Sequence, residues 1–186
     1  MNFCICREAM NCKNHPINFG CLFLGDAARR INPEVGREAT VEEAITYVHN
    51  CQEEGLIHVI GRDKIDETWL DVGSDGKLLT ICNCCSCCCL WKMLSNLDPH
   101  ISSKVKPMPG VVIKVTEKCT GCGTCTTHCF VNAIRVENGK AIISTNCKGC
   151  GRCADICPNK AIEITINDKL FLQKTIDRIE SSVNVL

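Results

Sequence analysis

The sequence lacks the features that mark membrane proteins, nucleic-acid-binding proteins and nucleotide-dependent enzymes. No stretch approaches the roughly 20 uncharged apolar residues that a membrane helix requires, so we expect a soluble protein without membrane insertion. Lysine and arginine total 21, as do aspartate and glutamate, and no basic tract with interleaved aromatic residues is present. Nucleic acid is therefore not an expected partner. No glycine-rich phosphate loop is present either, which argues against a flavin, nicotinamide or nucleotide site.

The beginning of the chain shows no basic segment followed by an apolar core, which is the pattern of a secretory signal. We therefore expect a cytoplasmic protein. The most unusual feature of the composition is its cysteine content, which is 19 of 186 residues. In a reducing cytoplasm thiols stay available as ligands, so metal or cluster binding explains them better than disulfides do. The odd total agrees with this, because disulfides use cysteines in pairs.

Eight of the cysteines form two copies of one motif in the second half of the chain. Each copy has the spacing C-x-x-C-x-x-C-x-x-x-C, and the second is followed by Pro158. This spacing lets three thiolates of one loop reach three corners of a 4Fe-4S cubane, whereas the fourth thiolate binds the other cluster. The predicted ligands of one cluster are Cys119, Cys122, Cys125 and Cys157. The predicted ligands of the other cluster are Cys147, Cys150, Cys153 and Cys129.

Each copy of the motif predicts a short strand, a cysteine-bearing loop, one helical turn and a second strand. Glycines lie between the ligands, where the backbone must bend sharply and present amides to sulfur: Gly121, Gly123, Gly149 and Gly151. A pair of zinc sites is the alternative, because C-x-x-C pairs also bind zinc. Zinc sites, however, need neither the third evenly spaced cysteine nor the crossed fourth ligand.

The segment from Val111 to Ile166 resembles the bacterial two-cluster ferredoxin family. The resemblance implies a pseudo-twofold α+β fold and one-electron transfer at low potential. Phe130 departs from the family pattern, in which proline follows the fourth cysteine of the first motif. An aromatic ring can still cover the edge of a cluster, so we expect a changed environment and not a lost cluster.

Ten more cysteines lie upstream in two groups: Cys4, Cys6, Cys12 and Cys21, and then Cys82, Cys84, Cys85, Cys87, Cys88 and Cys89. Adjacent residues of an extended segment point to opposite sides, so the second group cannot all face one metal without a tight turn. We predict that both groups together bind one or two additional iron-sulfur clusters. A structural zinc site and a redox-active thiol site remain alternatives. Arg7 either offsets the charge of such a centre or is solvated, and His15 is either a ligand or a solvated loop residue.

Five upstream segments resemble a family of uncharacterised 4Fe-4S-binding proteins of anaerobes that end in a two-cluster ferredoxin. The segments are Cys4–Arg7, Cys21–Gly25, Gly36–Ala44, Gly55–His58 and Ile81–Cys89. The family includes a further amino-terminal segment that this sequence lacks. The resemblance implies iron-sulfur chemistry over nearly the whole chain, but it identifies no reaction.

The upstream half also predicts regular structure. Thr40 and Glu43 have the arrangement of a capping box, and Gly55 is placed to end the helix that follows them. Cys51 falls on the apolar face of that helix and is predicted to be a buried core thiol. The runs 56–60 and 77–81 are predicted strands of a small sheet.

The expected fold is α+β with two domains, a pseudo-twofold two-cluster ferredoxin-type domain and a small cysteine-rich metal-binding domain. Two prolines and a glycine in Lys104–Gly110 predict a linker. The predicted boundaries are 1–106 for the cysteine-rich domain, 107–168 for the ferredoxin domain and 169–186 for an amphipathic helical tail. The tail helix is predicted from helical spacing of apolar residues: Leu172, Ile176, Ile179 and Val183.

These observations predict an iron-sulfur protein that relays electrons at low potential between a donor and a larger redox system, with an additional amino-terminal metal centre. Its partners would be redox proteins, and the chain would be a subunit of a larger oxidoreductase or a homo-oligomer. One alternative is a reductive enzyme whose active site is the amino-terminal centre, although the sequence assigns no catalytic residue. Another is a redox-sensing regulator with a winged-helix body. The lack of a nucleotide site favours the electron carrier over a stand-alone enzyme.

Overall fold

The computed structural model describes residues 1–185. They form a mixed α/β protein of short helices and small sheets, divided into two compact units. The first unit, called here the amino-terminal unit, contains residues 1–89 and the described residues from Gln173 onward. The second unit is Leu90–Leu172. No helix among the described residues is long and apolar enough to cross a membrane. The domain boundaries given above stay predictions.

The amino-terminal unit contains one three-stranded antiparallel sheet and several short helices. Its elements are α1 (Ile5–Ala9), β1 (Leu22–Leu24), a 3₁₀ helix (Asp26–Arg30), α2 (Val41–Glu53), β2 (Ile57–Gly61), α3 (Lys64–Trp69) and β3 (Leu79–Cys84). The strand order is β1-β3-β2, so β3 is central. Leu22 pairs with Ile81 on one side of β3, and Ile57 pairs with Cys84 on the other. The central strand therefore places Cys82 and Cys84, the first cysteines of the 82–89 run, in the middle of the sheet.

The capping box at the start of α2 is confirmed. The Thr40 hydroxyl accepts a hydrogen bond from the Glu43 amide at 3.2 Å, and the Glu43 carboxylate accepts one from the Thr40 amide at 2.9 Å. The helix ends at Glu53, and Gly55 follows with a φ of 80°. Cys51 is fully buried on this helix, as expected of a core thiol.

The two predicted strands are present, but the segment between them holds an element that the sequence analysis did not predict. α3 begins after Asp63, whose carboxylate accepts a hydrogen bond from the Asp66 amide at 2.9 Å. An aspartate at this position is a standard helix-start signal. The signal was missed because α3 has only six residues and no extended apolar periodicity.

The second unit contains two pairs of antiparallel strands. Its elements are a 3₁₀ helix (Leu90–Asn96), α4 (Pro99–Ser102), β4 (Val111–Val115), α5 (Thr124–His128), β5 (Ile134–Glu137), β6 (Lys140–Ile143), α6 (Arg152–Asp155) and β7 (Ile162–Ile166). β4 pairs with β7, and β5 pairs with β6. The order strand, helix, strand therefore occurs twice, as the internal repeat predicts. Asn138 and Gly139, between β5 and β6, both have positive φ, which is typical of a tight hairpin turn.

The last helix, α7 (Phe171–Glu180), is shorter than the predicted tail of 169–186. Val183 is buried but lies in the turn after the helix. Leu172 is 59% exposed and Ile176 is 37% exposed, so the predicted apolar face is only partly covered. Helical spacing of apolar residues predicted the helix but not how much of its face would be packed.

Candidate metal centres

Four of the motif cysteines surround one small cavity in the second unit. Its lining includes Cys119, Cys122, Cys125 and Cys157. The first two lie on the loop after β4, Cys125 lies on α5, and Cys157 lies after α6. Burial, followed by the neighbouring thiols of this set, raises the pKa of Cys125. The structure thus brings together the four thiols that the sequence analysis assigned to one cluster.

The other four motif cysteines also lie together. Burial raises the pKa of Cys153 to about 12, and the next causes are the thiols of Cys150, Cys147 and Cys129. The Cys125 thiol of the first set adds a smaller effect. A thiol whose pKa is raised in this way is protonated at neutral pH, and a bound metal cation reverses this because a coordinating thiol loses its proton.

Backbone amides donate hydrogen bonds to the sulfur of the fourth cysteine in each motif, at equivalent places in the repeat. The Ala133 amide donates to Cys129 Sγ at 3.2 Å, and the Ala161 amide donates to Cys157 Sγ at 3.3 Å. Further amides donate to Cys119 Sγ and to Cys147 Sγ. Hydrogen bonds of this kind stabilise thiolate ligands and tune the potential of an iron-sulfur cluster.

Glycine is required at equivalent positions of the two loops. Gly121 has a φ of 67°, and a Cβ there would lie 2.5 Å from the Gly139 carbonyl oxygen. Gly149 has a φ of 68°, and a Cβ there would lie 2.9 Å from the Pro107 side chain. The loops therefore fold tightly only because these positions lack side chains.

The ten upstream thiols separate into two groups. The first, called here the compact group, is formed by Cys12, Cys85, Cys87 and Cys88, whose ligand atoms all lie within 4.8 Å of one another. β3 ends at Cys84, and the chain turns at residues 86–88. This is the tight turn that the sequence analysis required before several cysteines of the run could face one site. Cys12 comes from the segment after α1.

The six remaining thiols are called here the six-thiol group: Cys4, Cys6, Cys21, Cys82, Cys84 and Cys89. Sheet geometry places three of them. Cys82 and Cys84 share one face of β3 because they are two residues apart. Cys21 precedes Leu22, which pairs with Ile81, so Cys21 lies opposite Cys82.

The pKa shifts link the rest of the six-thiol group. The thiol of Cys82, followed by burial, raises the pKa of Cys21. The thiols of Cys82 and Cys89, followed by burial, raise the pKa of Cys84. The thiol of Cys6, followed by burial, raises the pKa of Cys4, which in turn adds to the shift at Cys21. Adjacent cysteines of the run thus belong to different groups, Cys84 to one and Cys85 to the other.

Arg7 is fully buried beside these thiols. Its Nη1 donates to the Asn83 carbonyl at 3.1 Å, and its Nη2 donates to the Phe19 carbonyl. Burial alone would lower the pKa of Arg7, but the thiols of Cys4 and Cys85 raise it. The expectation that Arg7 could be a solvated residue is therefore wrong, and its position favours the other interpretation, in which it offsets thiolate charge.

A comparison with protein families bears on the second unit. Residues 111–166 match the 4Fe-4S dicluster domain. The match covers both cysteine motifs and both strand pairs of that unit. A comparison with curated proteins finds no match. The dicluster match and the cysteine groups together indicate iron-sulfur chemistry.

The donors of this dicluster segment fit iron-sulfur clusters. Each set offers four thiols, the sulfur chemistry that such clusters require. One set lines a cavity, and amides already point to sulfur in both halves of the repeat. Phe130, next to Cys129, is 2% exposed and stands where the family pattern has proline.

Two histidines are placed as structural residues. His15 Nδ1 lies 3.0 Å from Glu54 Oε1, and His15 is not a member of the compact group. His58 lies on β2, as predicted, with its Nδ1 2.8 Å from Asn83 Oδ1.

Sequence reasoning missed Asp66 as a member of the thiol environment. Burial raises the pKa of Asp66 to about 7, and Cys82 is among the smaller causes. The residue lies on α3, the helix that was not predicted. Asp66 is far in the sequence from Cys82, and no cysteine motif includes an aspartate so far away. The sequence therefore held no signal for it.

Proposed function

We propose that this protein is an iron-sulfur electron-transfer protein that passes single electrons between a donor and a larger redox system. The observation that carries the proposal is the dicluster match at residues 111–166, whose eight cysteines lie in two sets of four thiols. A domain of 107–168 with pseudo-twofold symmetry is the proposed electron-transfer module.

The ligands of one cluster are Cys119, Cys122, Cys125 and Cys157, and the ligands of the other are Cys147, Cys150, Cys153 and Cys129. When bound, each cluster supplies reversible one-electron chemistry. The chain contributes the thiolates, the amide hydrogen bonds to sulfur and a buried apolar surround. That surround includes Ala141, Ala161 and Ile162, which are nearly inaccessible to water.

One cysteine residue of each set is exposed, and it is the second cysteine of its motif. These are Cys122 and Cys150, whereas Cys125 and Cys153 are buried. An exposed ligand brings the edge of a cluster to the surface. We propose that electrons enter and leave at these two edges, through contact with redox proteins.

The additional amino-terminal centre of this proposal is an iron-sulfur cluster at the six-thiol group. Six thiols with a neighbouring carboxylate exceed the needs of a single metal ion with four ligands. The raised pKa values of Cys21 and Cys84 come first from other thiols, which indicates crowded sulfur atoms. Neighbouring thiols make it unfavourable for each of them to lose its proton, and a bound metal centre offsets this because it binds them as thiolates.

Stepwise reduction of oxygen-free protein, followed by electron paramagnetic resonance, tests the proposed function. We expect reversible one-electron reduction of two clusters in the dicluster segment and rapid reoxidation by a one-electron acceptor dye. The matched control is Cys51→Ala, which removes a buried thiol outside all of the proposed ligand sets. A chain that accepts no electrons reversibly would refute the proposal.

A further inference from the structure

The compact group has the dimensions of a site for one metal ion. The sulfurs of Cys12 and Cys87 are 3.7 Å apart, and those of Cys87 and Cys88 are 3.6 Å apart. A metal ion bound tetrahedrally through sulfur at about 2.3 Å places its sulfurs about 3.8 Å apart. The observed separations match this value.

The proposed ferredoxin ligands differ in this respect. Among residues 1–185, no other group of three or more cysteine, histidine or carboxylate side chains lies within the same 4.8 Å limit. The thiols around a cubane must lie farther apart, because a core of iron and sulfide occupies the space between them. The compact group is therefore too tight to enclose such a core.

We propose that Cys12, Cys85, Cys87 and Cys88 bind one mononuclear metal ion of the zinc(II) class and not an iron-sulfur cluster. This site is separate from the proposed electron-transfer centres. Zinc(II) undergoes no redox change, so the ion does not relay electrons. Binding releases the remaining thiol protons to solvent, up to one from each ligand, and forms four metal-sulfur bonds.

The surroundings of the compact group support a bound dication. Cys85 and Cys88 form a C-x-x-C pair, and the Cys88 amide donates to Cys85 Sγ at 3.3 Å. The buried guanidinium of Arg7 lies beside Cys85, which is among the thiols that raise its pKa. A dication with four thiolates carries a net charge of about −2, and the buried cation of Arg7 offsets part of it.

Such an ion also has a structural task. Three of the ligands, Cys85, Cys87 and Cys88, follow the central strand β3. Cys12 lies 75 positions before Cys87 in the sequence. The ion would tie the segment after α1 to the end of the sheet. A cross-link over such a long loop stabilises a small unit by lowering the entropy of the unfolded chain.

X-ray absorption at the zinc edge of oxygen-free, full-length protein tests the inference. We expect one zinc per chain, surrounded by four sulfurs at about 2.3 Å, with no iron neighbour. Absence of stoichiometric zinc, or zinc coordinated mainly by nitrogen or oxygen, would overturn it. This measurement uses the unaltered chain, so it does not depend on whether a variant folds.

A pair of variants then assigns the ligands by metal analysis. Cys87→Ala with Cys88→Ala should lose the zinc and keep the iron and acid-labile sulfide of the unaltered chain. Cys84→Ala with Cys89→Ala, the matched control from the six-thiol group, should keep the zinc. If the first variant loses iron and keeps zinc, the compact group holds iron and the inference is wrong.

Discussion

The guanidinium of Arg7 donates a hydrogen bond to the carbonyl oxygen of Asn83, at 3.1 Å, inside the amino-terminal unit. Asn83 lies on β3 between Cys82 and Cys84, and Arg7 lies on α1 between Cys6 and Cys12. A buried arginine thus joins the two segments that supply the upstream thiols. The foremost causes that raise its pKa are the thiols of Cys4 and Cys85.

Replacing Arg7 by methionine should strongly destabilise the amino-terminal unit. A buried thiolate that loses its cationic partner is left uncompensated, which costs about 3 kcal/mol or more. Arg7→Lys keeps the charge but not the two-pronged hydrogen bonding, so its cost should be smaller. Denaturant unfolding without oxygen measures both effects. Arg29→Met, at an exposed position, is the control, and an Arg7→Met variant as stable as this control would contradict the assigned role.

The crossed ligation predicts which pairs of substitutions remove one cluster and which remove two. Cys119→Ala with Cys157→Ala alters one ligand set and should leave the other cluster intact. Cys119→Ala with Cys129→Ala alters both sets, although both residues belong to one sequence motif. Iron analysis should therefore show about twice the loss in the second variant. The reverse result would indicate that each motif binds its own cluster.

Gly121→Ala should destabilise the dicluster segment more than Gly123→Ala does. Both positions have positive φ, which costs about 1 kcal/mol or more for alanine. At Gly121 the added Cβ also meets the Gly139 carbonyl at 2.5 Å, whereas at Gly123 its nearest neighbour is 4.0 Å away. Thermal unfolding of the two variants measures the difference. Equal melting temperatures would show that the Gly139 contact has no consequence.

Thr40→Ala should lower the stability of α2 by about 1 kcal/mol, because it removes the side-chain acceptor of the capping box. Thr46→Ala, within the same helix, leaves both capping hydrogen bonds in place and is the control. Hydrogen exchange of the amides in the first turn measures the effect locally. Equal exchange in the two variants would exclude a stabilising role for the cap.

The sequence predicted local features well and long-range ones poorly. The eight motif cysteines were recognised because their spacing is local and repeated. The division of the upstream thiols was not predictable, since it depends on the pairing of Leu22 with Ile81 and on the turn after Cys84. The burial of Arg7 was likewise hidden, because a charged residue in a short helix carries no sign of its neighbours.

The proposed function requires that this protein hold iron-sulfur clusters that exchange electrons. The direct test is to count iron and acid-labile sulfide in oxygen-free protein. Electron paramagnetic resonance then follows the reduction of the same protein. We expect at least about eight irons per chain with matching sulfide, and resonances that appear on reduction and disappear on reoxidation. A chain that contains zinc without acid-labile sulfide and shows no such resonances would contradict it.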